Sequence, residues 1–406
     1  MRYTFGVIGE LLGCSFACVP ANQPVSGEYQ LHYQPEPSAG VPWLPWTGWL
    51  GETGVRSELR PDAQADLPAA IFYLLSDYEK YQQAHYDPHD RYDQAAYPSA
   101  QLGLEEVPLV HHWAEKIRDK LQAAYPALTL QPPKAALHLT VDVDHPWRYR
   151  HKGLPVSLGG LGKALVQGQW REATERVKVL SGWQADPNDT FDRLQQLLPP
   201  AQTTFFALID RQSPFDGRHT HRTPALRRLL RELAGAGYHL GIHPSYLTFQ
   251  DPEQMQREVG YLQDLLGQPI QRSRQHFLRF RYPDTYRALL ACGIEEDHTP
   301  CLVHQCGFPH GMARAFPCYY LLAEQETTLR LHPTIVMDRS LQQYAQLGPA
   351  QALARVRELG QIVQRYGGVF TLLLHNESLS ETAEWQGWSE VVQAMVEGLR
   401  QQFSLL

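Results

Sequence analysis

The chain has 406 residues, 43% hydrophobic and 19% charged, and a formal net charge of −7. That length exceeds one ordinary core, so two domains are the natural expectation. The acidic balance offers polyanions no long-range attraction, which sets nucleic acid aside as a partner.

In chain order, Val7 to Leu12 reads as a helix or strand of the first domain. Leu11-Leu12-Gly13-Cys14 has the outline of a lipoprotein cleavage box, but Glu10 interrupts an apolar run already too short for a signal. No stretch approaches about 20 apolar residues, so neither a membrane span nor a membrane partner is expected. The six cysteines lack paired C-x-x-C spacing and are expected to be free thiols of a cytoplasmic protein. "GVPWLPWTGWLG", from Gly40, packs three tryptophans among Pro and Gly, a turn over a core or a sugar platform. Asp66 to Tyr81 has helical spacing with Pro68 near its start, and Val110 to Pro126 is a second helix. "LQPPKAA" then reads as a linker, dividing residues 1–130 from residues 131–406.

Beyond the linker, short apolar runs alternate with helical patterns. Strands are expected over Leu137–Val143, Thr203–Ile209, Leu240–His243, Arg274–Arg279 and Phe370–Leu374. Between them, "TPALRRLLRELAGAG" starts at a Thr-Pro cap, and "DPEQMQREVGYLQDLLG" starts at Asp-Pro and ends on glycine. Alternation of this kind predicts a mainly parallel sheet or barrel, with a site at the C-terminal ends of its strands.

Four strand ends carry unusual polarity. They are Asp142-Val143-Asp144, the end of "GYHLGIHPSY" at His243, "SRQH" with Arg274 and His276, and "TLLLHNES" with His375 and Asn376. One Asp with two His makes a metal-binding face with coordination positions to spare, a second Asp can take a proton, and another His can give one. The strand end is expected to bend so that Asp142 and Asp144 serve one pocket. "DPHDRYD", Asp87 to Asp93, reads as a solvated loop, and His219 and His221 as a polar loop at the rim. "GLPVSLGGLGKAL", from Gly153, lacks the Gly-Lys-Ser/Thr of a phosphate loop and reads as a loop packed over the pocket. Cys301 and Cys306 have no second cluster at zinc spacing.

The Asp-x-Asp strand, "GIHPSY" and the late Leu-x-x-His strand resemble the NodB-type polysaccharide deacetylases. The chain is similar in particular to a bacterial branch with an additional N-terminal domain, through "IFYLLSDYEKY", "VDVDHPWRYRHKGLPVSLGG", "DPNDTFDRL", "SRQHFLRF" and "LLLHNESLSETAEWQGW". The resemblance implies a distorted (β/α) barrel preceded by a smaller α/β domain. It also implies a divalent metal, most readily zinc, and removal of an acyl group, N-acetyl by preference, from a sugar or glycan. It assigns Asp142 as base, Arg274 as the arginine that steadies it, His375 as general acid, and Asp144 and His243 as metal ligands. Asp297 is matched loosely to the acidic residue behind the late histidine. The family's second ligand histidine falls at position 247, where this chain has Leu247, so His276 is expected as its replacement. "GFPHGMARAFPCYYL" also departs from the family, with Pro309 and His310 at a basic position. Leu247 keeps a second reading open, a degenerate deacetylase that binds glycan without cleaving it. A metal-free glycosidase needs two carboxyls spanning a sugar-sized cleft, which Asp142 and Asp144 do not obviously provide.

Overall fold

A computed structural model describes the chain except residues 21–22, 24–28, 38–39, 49–63, 65, 83–84, 94, 96–99, 101–104, 218–221 and 405–406. His219 and His221 therefore lie outside the described residues, as do Trp49 and part of the tryptophan-rich turn. Two short strands, β1 (His32–Gln34) and β2 (Trp43–Pro45), pair in parallel near the N-terminus. Nine more make the main sheet: β3 (Ala136–Val143), β4 (Thr203–Ala207), β5 (His239–Ile242), β6 (Arg272–Ser273), β7 (Glu296–Asp297), β8 (Phe316–Tyr320), β9 (Gln325–Leu331), β10 (Val336–Met337) and β11 (Val369–His375). Their spatial order is β10-β11-β3-β4-β5-β6-β7-β9-β8, all parallel but for the last pair. β10 and β8 are its two edges, with no hydrogen-bonded pair joining them among the described residues.

The central strands read as near-continuous apolar runs because helices cover the sheet, the pattern of a buried parallel sheet. Leu139, Val141 and Val143 of β3 and Leu372, Leu373 and Leu374 of β11 are all buried. The helix boundaries follow local chemistry. Thr223 accepts from the Leu226 amide ahead of helix Pro224–Gly235, and Asp251 accepts from the Gln254 amide ahead of helix Pro252–Leu266. Each such cap contributes about 1 kcal/mol. Gly267 closes the second helix at φ 68°, a left-handed position that favours glycine.

Several expectations change at this level. The Val7 segment belongs to helix Arg2–Leu12. Asp66–Tyr81 is broken into helix Leu67–Leu75 and helix Tyr78–Gln82 around Asp77, whose φ is 54°. Gly153–Leu165 is no loop: it forms helix Leu154–Val166, because a lone glycine run does not outweigh leucines at helical spacing. The expected strand Arg274–Arg279 is also absent. Only Arg272–Ser273 pairs, and the chain then turns through Phe277 and Leu278, both at positive φ. That turn points Arg274 and His276 into the site rather than along the sheet.

The N-terminal segment shares one continuous hydrophobic core with the sheet. Tyr3 donates to the Pro317 carbonyl at 2.8 Å, and Phe72 packs edge-on against Tyr319. A buried ionic group ties the same regions together: Asp77 meets Lys80, the His310 ring at 2.7 Å and the Tyr286 hydroxyl at 2.6 Å. Burial alone would raise the Asp77 carboxyl, but Lys80 and His310 outweigh it and hold it far below its ordinary value. Pro309 and His310 thus serve a tight turn and this junction.

Candidate active site

The C-terminal ends of β3, β5, β6, β10 and β11 meet around one pocket, as their parallel register requires: His375 lies level with Asp142, and Ile242 with Ser273. β3 ends at Val143 and the chain bends at Asp144, and Asp142 and Asp144 line one pocket, as expected. His243 Nε2 lies 3.3 Å from Asp144 Oδ1 and 3.8 Å from Asp142 Oδ2. Arg274, wholly buried, donates from Nη1 to Asp142 Oδ1 at 2.8 Å and to the Thr140 hydroxyl at 2.9 Å. Its Nε donates to the His298 carbonyl, which locks the guanidinium in place.

Asp144, His243 and His276 each offer one donor atom, and these atoms lie within 4.8 Å of one another. Both rings are held from behind. His243 Nδ1 is 2.6 Å from the Arg274 carbonyl, which can only accept, so Nδ1 carries the hydrogen and the Nε2 lone pair faces Asp144. His276 Nδ1 is 3.0 Å from Asp216 Oδ1, while its Nε2 lies 3.7 Å from Asp144 Oδ2. Asp216 is itself fully buried and accepts from the amides of Gln212, Ser213 and Tyr246.

These residues fit a divalent cation. Asp144 Oδ1 is buried with no hydrogen-bond partner among the described residues, and an imidazole lone pair directed at a carboxylate oxygen is repulsive unless a cation or proton lies between them. Burial lowers the His276 pKa, but Asp144 and Asp216 override it and raise it to about 9, the response of a site built for positive charge. An imidazole with its second nitrogen on a carboxylate is also the usual support for a metal ligand. Leu247, at the position where the resemblance places a ligand, is 42% exposed and precedes the turn Thr248–Gln250.

Opposite this trio stands His375, whose Nε2 is 3.9 Å from Asp144 Oδ2. Its Nδ1 meets Asp338 Oδ1 at 2.8 Å, and its backbone amide donates to the other oxygen of the same carboxylate at 2.7 Å. Burial would lower the His375 pKa, but the adjacent Asp338 prevails and the net shift is upward. Asp297 does not take this part. It is bound to Thr299, and burial pushes its carboxyl up to about 7, so the loose match to the late histidine is corrected to Asp338.

The pocket has a volume of about 300 Å³ and aromatic walls at Phe215, Phe277 and Tyr344. His89 and Arg91, from the loop read as solvated, close one side of it. That loop is pinned by Asp87, which accepts from Arg91, and by Asp90, which binds Arg279 and Arg281. His89 and Arg91 lie in "DPHDRYD", whose mix of acids and histidine is a local signal that the reading as a solvated loop set aside. Asp216 and Asp338 were not singled out; Asp216 lies in "SPFDG", whose Ser-Pro start is a turn signal, and nothing local marks Asp338.

A family model described as a family of unknown function, DUF7033, matches residues 1–126. No curated protein matches the chain. Among solved structures, a polysaccharide deacetylase candidate of Mycobacterium smegmatis is 14% identical, with 67% of this chain and 86% of that chain covered at a TM-score of 0.42. A CE4 family pseudoenzyme of Bacillus anthracis is 13% identical, with 67% and 63% covered at 0.33. A polysaccharide deacetylase of Bacillus cereus is 11% identical, with 66% and 88% covered at 0.33.

Proposed function

We propose that the protein is a divalent-metal-dependent hydrolase that removes an acyl group, N-acetyl by preference, from a sugar or glycan. The observation that carries this reading is the trio Asp144, His243 and His276, with both imidazoles oriented from behind and an acid–base pair alongside. Asp144, His243 and His276 would hold the cation, and zinc best matches two imidazoles and one carboxylate. When bound, the cation supplies polarisation of an acyl carbonyl and acidification of water.

The chain's own groups do the rest. Arg274 engages Asp142 Oδ1, leaving Oδ2 to accept a proton from the attacking water. His375, whose pKa the adjacent Asp338 raises, hands a proton from Nε2 to the departing nitrogen. Phe215, Phe277 and Tyr344 offer flat apolar faces to a sugar ring, and the pocket's volume suits one residue of a glycan.

In this reading the sheet is a distorted (β/α) barrel over residues 131–406, and residues 1–130 form the N-terminal unit that closes its mouth through His89 and Arg91. Six free cysteines suit a cytoplasmic setting. Acetate release from N-acetylglucosamine oligomers tests the activity, with and without added zinc. Release that depends on zinc and is lost in Asp142→Asn is the expected result. Glycan binding that persists in chelator and in Asp142→Asn, with no acetate formed under any divalent metal, would assign the fold to recognition instead.

A further inference from the structure

Between β3 and helix Phe191–Leu197 the chain makes a helical hairpin whose surface contradicts the usual pattern of a core-packed helix. Helix Leu154–Val166 buries only Ser157 and Ala164. Its leucines 154, 158, 161 and 165 fall at i, i+4, i+7 and i+11, one stripe along a single face. Leu154 is 78% exposed and Leu158 65% exposed. Helix Trp170–Leu180 packs back on its partner and adds Trp170, Val177 and Leu180 at the surface, with Trp183 just beyond it 84% exposed. Among the described residues, eight of the fifteen exposed large hydrophobic side chains lie between positions 154 and 183.

The hairpin and the turn leading into it are basic. Residues 146–183 hold seven Lys and Arg against two Glu, a local net charge of +5 in a chain whose total is −7; Arg148, Arg150 and Lys152 lie in the turn, and the hairpin itself carries +2. Four of those cations, Arg148, Lys152, Lys163 and Arg176, line a groove of about 620 Å³ together with Glu172; Arg176 pairs with Glu172 and Arg148 lies 3.8 Å from Glu175, which leaves Lys152 and Lys163 as its positive excess. Burial, with help from Arg176 and Arg148 and against Asp186, pulls the Lys152 amine down to about 8, a strain that a bound anion relieves. Arg148 and Lys152 continue into a second recess shared with His145, and His145 also lines the candidate active site.

An apolar stripe and two exposed tryptophans beside a groove lined by cations match the layers of a lipid surface: acyl boundary, headgroup level and phosphates. Among the described residues no helix is long and apolar enough to cross a membrane, so the geometry suits lying on a bilayer rather than spanning it. We propose that the hairpin of residues 154–183 docks the protein onto an anionic bilayer, with the leucine stripe and Trp170 and Trp183 in the interface and the basic groove on lipid phosphates. This docking stands independently of the hydrolase reading.

Flotation of the full chain tests it, using vesicles of phosphatidylcholine mixed with phosphatidylglycerol and vesicles of phosphatidylcholine alone. The protein is expected to float with the mixed vesicles, to be released by high salt, and not to float with phosphatidylcholine. The double variant Trp170→Ser, Trp183→Ser should bind at least about tenfold less, as should Leu158→Asp, with unchanged circular dichroism. Lys163→Glu should lose the preference for the anionic mixture. Flotation equal in wild type and variants, or none with either vesicle, overturns the proposal. So does self-association in sedimentation that the tryptophan variant abolishes without any vesicle binding, since the face then belongs to a second copy. Acetate release from a soluble oligomer should be the same in these variants, so failure of the docking and failure of the hydrolase reading are separable.

Discussion

His276 and Asp216 face each other at 3.0 Å, and the contact decides what His276 is for. Asp216 accepts the Nδ1 hydrogen and so turns the other ring nitrogen toward Asp144. Supporting carboxylates of this kind contribute about 10- to 100-fold to metal affinity. Asp216→Asn is therefore expected to weaken zinc binding by that factor while His276 stays in place. Zinc titration against a competing chelator measures it, and an unchanged affinity would remove Asp216 from the site.

Leu247→His should not restore a ligand. The side chain at this position is turned toward solvent, and the trio is already complete without it. Zinc affinity is expected to match wild type within about twofold, whereas His276→Ala loses stoichiometric metal. A tighter site in Leu247→His would show that this position reaches the cation after all.

Asp142→Asn and His375→Gln separate proton transfer from metal binding. Each should lower turnover by about 10²- to 10⁴-fold, the usual contribution of general acid–base groups, while bound zinc stays near one per chain. Loss of metal in either variant would mean that the residue is a ligand and not a proton carrier.

Acid stability should depend on His111. This buried ring accepts the Ala313 amide at Nε2 and so must be neutral, and burial lowers its pKa to about 4. The unfolded chain binds this proton at about pH 6.5 and the folded chain does not, so stability is complete above about 6.5 and falls as pH drops toward 4. The total loss is of order 3 kcal/mol. Urea unfolding between pH 7 and pH 4 should be markedly less pH-dependent in His111→Gln.

The buried group at Asp77 should be a weak point. Asp77→Ala removes the carboxylate that Lys80, His310 and Tyr286 share, and stranding a buried ammonium costs about 3–5 kcal/mol. Thermal melting should drop accordingly, with zinc affinity retained in the cold. A wild-type melting temperature would mean that this junction is solvated in solution.

Much of the sheet was legible in one dimension because a strand buried on both faces needs an unbroken apolar run. "LHLTVDV" and "VFTLLLH" carry that signature, and their polar ends mark the rim of the pocket. "SRQHFLRF" was expected as a strand and yet contributes only Ser273 to the sheet before it turns, because positive φ at Phe277 and Leu278 is a tertiary outcome with no local signal. Gly153–Leu165 shows the converse: its glycines suggested a loop, while its leucine spacing made a helix. The exposure of those leucines also reopens the expectation that the protein has no membrane partner, which rested on spans alone.

The sequence by itself determined the chemistry on offer: which strands end in Asp or His, and that position 247 cannot bind a metal. It also specified the helix caps, since those contacts span only three or four residues. Only the tertiary structure decided the partners. Asp216 meets His276 across 60 residues, Asp338 meets His375 across 37, and Arg91 reaches a pocket built almost entirely beyond residue 140. Such contacts depend on which strands the sheet places side by side, and strand order is set by packing of the whole chain rather than by any local pattern.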